Sequence, residues 1–150
     1  MPRRWAAVLF FVLFALHFAL FMGRSLAWLR SESILAVAPG FYTHVSNYSL
    51  SYMLFTGIGY LWLAMGVRIR RIALFGVAIA LANVVYELAI PILNTIDPVD
   101  AVYGLVGTAV SGCVLLLIGR RGMVANPAHP TRAASSAPQT LSGRPGRRQR

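Results

Sequence analysis

Apolar residues along this chain gather into four long blocks separated by short polar connections, and do not alternate one by one. The first block covers about 5–22, holds His17 as its only ionisable side chain and follows the pair Arg3-Arg4. The second covers about 48–65 and ends at Arg68, Arg70 and Arg71; the third covers about 72–93, and the fourth about 101–119, ending at Arg120-Arg121. At about 1.5 Å of rise per residue, each block approaches or matches a hydrocarbon core of about 30 Å. Uninterrupted blocks of this length predict helices, because barrel strands alternate in polarity and are about half as long. The expected fold is therefore an all-α integral membrane protein: a four-transmembrane-helix bundle over residues 1–122. Residues 123–150 hold mainly Pro, Ser, Ala, Gln and Arg, which bury too little apolar surface to offset ordering entropy, so a disordered basic cytoplasmic tail is expected there.

The connections refine this picture. The triplet Ala36-Val37-Ala38 has the small-x-small form of a leader cleavage site. It lies well beyond the first block and is followed by Pro39, so the block is expected to be an uncleaved anchor. Between Gly23 and Val45, Trp28, Leu29, Ile34, Leu35 and Val37 interleave with Arg24, Arg30 and Glu32, which suits either a short helix in the membrane interface or an irregular loop. Pro39-Gly40 breaks the chain, and Phe41, Tyr42, Tyr48 and Tyr52 follow as a cluster suited to headgroup level. Asn47-Tyr48-Ser49 fits a glycosylation sequon but sits too close to the bilayer to serve as one.

Composition and charge narrow the class. A content of 57% hydrophobic and 12% charged residues excludes an ordinary soluble domain. The net charge of +10 would suit nucleic acid on a soluble basic face, but here the arginines cluster between apolar blocks and in the tail, so no nucleic-acid partner is expected. Cytoplasmic placement of both termini puts every arginine except Arg24 and Arg30 on the inner side, as the positive-inside rule requires. The expected location is a bacterial inner (cytoplasmic) membrane, with the lipid bilayer as partner. Gly104, Thr108 and Gly112 recur every four residues on one face of the fourth block, a spacing that lets backbones approach closely either within the chain or in a homo-oligomer or partner membrane protein.

The candidate chemistry lies in the stretch from Asn83 to Gly107. The chain has four acidic residues, and three of them, Glu87, Asp97 and Asp100, fall here. Counted from Arg71, Glu87 lies about 24 Å along a helix; counted from Arg4, His17 lies about 20 Å along, which places both in the outer half of the bilayer with Tyr48, Tyr52, Tyr103, Asp97 and Asp100 at or above them. A carboxylate in hydrocarbon costs about 3 kcal/mol and must face the bundle interior, pair or stay protonated. His17 is the expected partner of Glu87, with Asn83 or a tyrosine hydroxyl next; Asn83 shares the helical face of Glu87, and Tyr86 adjoins it. Glu87 and His17 thus form either an outward-facing ionisable site or a hydrogen-bonded clamp between helices. Pro91 suggests a kink or the end of the third helix, and Asp97 and Asp100 suit turn initiation and N-capping.

His44 has no recognised ligand spacing to the carboxylates, and Cys113 stands alone, so no metal, cofactor or catalytic residue is assigned. No Gly-rich phosphate loop, Ser-His-Asp constellation or cysteine nucleophile is present in the sequence.

Glu87, Asp100 and Gly107 together resemble the VanZ-like family of small bacterial membrane proteins. In that pattern a glutamate near a helix end is followed by a loop, an aspartate opening the next helix, and a glycine seven residues on. Ile90 stands where the pattern has Gln, the loop has no Arg, and Gly104 replaces the usual Asn. The resemblance covers Glu87 to Gly107 and implies an envelope protein, of a family linked in some members to glycopeptide tolerance, without supplying a catalytic residue. The expected function is non-enzymatic binding of a lipid, an envelope precursor or a partner helix through an outward-facing polar layer. The alternatives are a transporter subunit with Glu87 as proton or cation site, and a membrane-embedded enzyme using Glu87 or Asp100.

Overall fold

Each apolar block becomes a helix in the computed structural model, which describes residues 1–89 and 97–124. The described residues are almost entirely helical and contain no strand, only an isolated antiparallel pairing of Pro2 with Met123. Helix α1 is Arg4–Gly23, α2 is Glu32–Val37, α3 is Phe41–Ala64, α4 is Ile69–Ala89 and α5 is Pro98–Leu117. A single 3-10 turn, Ala27–Leu29, precedes α2, and a π turn, Ile118–Gly122, extends α5. Ile90, Pro91 and the rest of the third block, as well as the tail from 125 onward, lie outside the described residues.

Three of these helices, α1, α4 and α5 with its π turn, are long and apolar enough to cross a membrane. Helix α3 is the longest at 24 residues but is not apolar enough to join them. It begins at Phe41, immediately after Pro39-Gly40, whereas the apolar block places its start near 48. The reason is that α3 is the central helix, packed against α1, α4 and α5. Ser49, Ser51, Tyr52 and Thr56 on it are all buried, so protein surrounds a polar stretch that lipid would not tolerate. The flanking helices instead turn Phe11, Val12, Leu74 and Leu81 outward, each more than half exposed, as a lipid-facing surface does.

The connection from Gly23 to Phe41 is neither one interfacial helix nor wholly irregular. It holds the 3-10 turn and the six residues of α2, none of them buried, with Trp28 at 78% and Val37 at 87% exposure. Polar contacts tie it down: Arg30 donates to the carbonyls of Gly23 and Arg24 at 2.9 and 2.8 Å, and the Ser31 amide donates to the Tyr42 hydroxyl at 2.9 Å.

The helix starts and stops follow local chemistry. Asp97 caps α5 by accepting the Val99 amide at 2.8 Å, and Pro98 follows where its missing N–H and fixed φ do no harm. Gly66, at φ 79°, makes the tight turn from α3 to α4. At the same end the chain's start meets the end of α5: the Met1 ammonium donates to Val124 at 2.7 Å and the Arg3 amide to Gly122 at 2.7 Å. Gly119 lies against Leu63 and Ile69, so the α3–α4 turn belongs to this end too. Arg3, Arg4, Arg68, Arg70, Arg71, Arg120 and Arg121 therefore gather at one end of the bundle, and Glu32, Asp97 and Asp100 lie at the other.

The two halves of the bundle interior differ. Towards the arginine end Phe10, Phe55, Tyr60, Leu63, Ile72, Leu115 and Ile118 form an apolar core, with Phe10 and Tyr60 stacked at 4.0 Å. Gly104, Gly107, Thr108 and Ser111 on α5 are buried within the chain, so these small residues serve intrachain packing; Gly112 is only partly buried. A side chain at Gly107 would collide with the Tyr48 carbonyl oxygen, so α5 touches the backbone of α3 there.

Candidate functional site: a polar layer opposite the arginine end

Polar side chains from α1, α3, α4 and α5 meet in the half of the bundle away from the arginines. Most of them are reached from α3, whose polar residues recur at helical spacing: His44, then Asn47 and Tyr48, then Ser51 and Tyr52.

At the end itself, His44 in the first turn of α3 faces the start of α5. Its Nδ1 lies 2.8 Å from Asp100 Oδ1 and 3.6 Å from Asp97 Oδ2. The three side chains are partly buried, and one donor atom from each falls within 4.8 Å of the others. Asp97 thus has two roles, with Oδ1 capping α5 and Oδ2 turned towards the histidine.

Deeper in, Glu87 is only 2% exposed, and its Oε1 accepts a hydrogen bond from Asn47 Nδ2 at 2.7 Å. The sequence favours His17 as the partner of Glu87, but His17 is committed elsewhere. Its Nδ1 is 2.7 Å from the Leu13 carbonyl, which can only accept, so Nδ1 carries the hydrogen. In the neutral ring Nε2 then accepts from the Tyr48 hydroxyl, 3.0 Å away. The imidazole also stacks on the Tyr52 ring at a centroid distance of 3.4 Å. His17 thus joins α1 to α3 and not to α4; a helix-face count cannot tell which neighbour an inward side chain will meet.

Asn83, the second candidate partner, donates to the Ala101 carbonyl at 3.3 Å and packs on Gly104, joining α4 to α5. Below this layer Thr56 and Ser111 share a buried hydrogen bond of 2.6 Å between α3 and α5.

Tyr86 is 42% exposed and borders a groove between α3 and α4. Asn47, Leu50, Ser51 and Leu54 form one wall and Ile79, Ala82, Asn83 and Tyr86 the other, around about 380 Å³. The spacings i, i+3, i+4 and i+7 on both helices make two facing stripes. Since the helices run oppositely, Asn47, Asn83 and Tyr86 share one end of the groove, and Leu54 and Ile79 the other.

Of the sequence-predicted residues, the structure brings Asp97 and Asp100 together around His44, and Asn83 and Tyr86 around a groove whose other wall holds Asn47, the Glu87 donor. Asn47 itself was legible only as a sequon. Extending the helical register back from Tyr52 through Tyr48 to His44 places Asn47 on the neighbouring inward position, the signal that identifies it. The chain matches no protein-family model, no curated protein and no solved structure, so its function rests on this geometry.

Proposed function

We propose that this is a small multi-pass protein of the bacterial cell envelope that binds a lipid or lipid-linked envelope precursor at its outer polar layer and catalyses no reaction. In this reading α1, α3, α4 and α5 all cross the membrane, with both chain ends in the cytoplasm. Helix α3 has the length to cross, about 36 Å at 1.5 Å per residue, and Ser49, Ser51, Tyr52 and Thr56 along it are buried among its three neighbours. The arginines at the end shared by Met1, the α3–α4 turn and Val124 fit a cytoplasmic face. The acidic end then lies outside, with Trp28 in the interface on that side.

The groove between α3 and α4 carries the proposal. It opens sideways, since Leu50, Leu54 and Tyr86 on its rim are each 42–54% exposed. Its lining grades from amide and hydroxyl groups at the outer end to aliphatic side chains towards the membrane centre. A lipid has the same gradient, with a hydrogen-bonding head and an apolar chain, and about 380 Å³ is within the size range of small-ligand sites. Asn47, through its bond to Glu87, links the polar end to the buried carboxylate.

The resemblance to the VanZ-like family agrees with this reading at three positions that are structurally constrained here: Glu87 is buried, Asp100 holds His44 and Gly107 meets the α3 backbone. A transporter is not favoured, because below the polar layer Phe55, Leu63 and Leu115 form an apolar core and the groove of about 480 Å³ between α4 and α5 is lined almost wholly by apolar residues.

Native mass spectrometry of the purified protein released from nanodiscs tests the proposal. A retained lipid is expected on the wild type and not on Ala82→Trp, which fills the groove from its exposed wall. Equal lipid retention by both proteins refutes binding in the groove. An ion flux in liposomes that is lost in Glu87→Gln would favour the transporter instead.

A further inference from the structure

We propose that His44, Asp97 and Asp100 form a site for one divalent transition-metal ion of the zinc class at the acidic end of the bundle. The site is separate from the α3–α4 groove and stands whether or not that groove takes a lipid.

The donors converge from two independently fixed elements. His44 is set by the first turn of α3, and the carboxylates by the cap and first turn of α5. Hydrogen bonding accounts for only part of the convergence. Nδ1 carries at most one hydrogen, and Asp100 Oδ1 at 2.8 Å takes it. Asp97 Oδ2 faces the same nitrogen at 3.6 Å, beyond hydrogen-bond range, although its carboxylate already has a structural task at the Val99 amide.

The charge balance points the same way. The chain has 14 arginines against four acidic residues, so a guanidinium is the obvious counterion for two neighbouring carboxylates. Among the described residues, however, neither Asp97 nor Asp100 forms a salt bridge to an arginine. Arg24 and Arg30, the arginines of this end, give their guanidinium groups to Ser46 Oγ at 2.5 Å and to backbone carbonyls. One imidazole is left facing two carboxylates in a partly buried setting, which a divalent cation would neutralise.

The spacing suits a first-row ion. Metal–nitrogen and metal–oxygen bonds of about 2.0–2.2 Å at the tetrahedral angle put neighbouring donors about 3.3–3.6 Å apart. The 2.8 and 3.6 Å separations from His44 Nδ1 bracket that range, and all three donor atoms lie within 4.8 Å of one another. Binding at Nδ1 moves the ring hydrogen to Nε2. An imidazole donor selects the zinc class over magnesium and calcium, which prefer all-oxygen shells. Three protein donors leave at least one coordination position for water or an anionic group.

The test uses the full-length, tag-free protein in detergent, stripped with chelator and then titrated with Zn²⁺. Cys113→Ser and His129→Ala provide a background without the exposed thiol and the tail imidazole, while the buried His17 has both ring nitrogens hydrogen-bonded. Roughly one zinc per chain should survive desalting. Binding should weaken at least about tenfold in His44→Ala and in Asp97→Asn, since loss of even an outer partner of a ligand costs that much. Asp97→Asn keeps the helix cap and so isolates the lost charge if His44→Ala fails to fold. Co²⁺ substitution should give a ligand-field spectrum that both variants lose. No stoichiometric zinc, or zinc held with wild-type affinity by Asp97→Asn, overturns the proposal; the latter means an adventitious ion only.

Discussion

Adding one methyl group at Gly107 should destabilise the protein more than any comparable change in its helices. The Cβ atom built there collides with the Tyr48 carbonyl oxygen and crowds the Tyr48 carbonyl carbon, at 3.0 Å, and Cα, at 3.2 Å. All three are backbone atoms, so no rotamer change relieves the clash, and α5 must move away from the central helix. Inserting a methyl into a packed core usually costs about 1–3 kcal/mol, and a backbone obstacle puts Gly107→Ala at the upper end, about 3 kcal/mol. Gly112→Ala, five residues on, is the control. Its Cβ meets only Phe55 Cε1 at 3.7 Å, an ordinary contact, and replacing a helical glycine gains up to about 1 kcal/mol. The two substitutions add the same atom to the same helix and should differ by about 3–4 kcal/mol with opposite signs. Reversible unfolding in mixed micelles, titrated with SDS, measures both. If Gly107→Ala is as stable as Gly112→Ala, the close approach of α5 to α3 is wrong, and so is the placement of the polar layer that depends on it.

Other changes test the layer piece by piece. Asn47→Leu removes the donor to the buried Glu87 carboxyl and should lower stability by about 1–3 kcal/mol in the same assay; an unchanged midpoint would refute that bond. Asp97→Ala should cost about 1 kcal/mol through the lost cap on α5, whereas Asp97→Asn, itself a good cap, should stay within about 0.5 kcal/mol of wild type. In a Cys113→Ser background, Asp97→Cys should react with an impermeant thiol reagent on intact cells and Arg70→Cys should not; the reverse result would invert the proposed orientation and move the groove's polar end to the cytoplasm.

The first, third and fourth blocks were legible because membrane-crossing length and apolar composition are local properties, and α1, α4 and α5 lie on them within the described residues. The start of α3 was not legible. Residues 41–47 are helical although largely polar: Tyr42 and Val45 are buried, and His44 and Asn47 bond to α5 and α4, contacts that no window along the chain reports. The polar layer was half legible. Depth along a helix depends only on rise per residue, so His17 and Glu87 could be assigned to the outer half by counting, with Asp97 and Asp100 at or above them.

Partner choice depends on which helix lies beside which. Glu87 meets Asn47 and not His17 because α3 occupies the centre of the bundle and presents Asn47 towards α4 and Tyr48 towards α1. The meeting of His44 with Asp97 and Asp100 likewise joins side chains 53 and 56 residues apart in sequence, which no ligand spacing could reveal. The sequence alone determined the helical class, the lipid-facing composition and the separation of arginine from carboxylate along the chain. Only the tertiary structure decided which polar groups touch, because a helix presents side chains on every side and its neighbours fix which of them are enclosed.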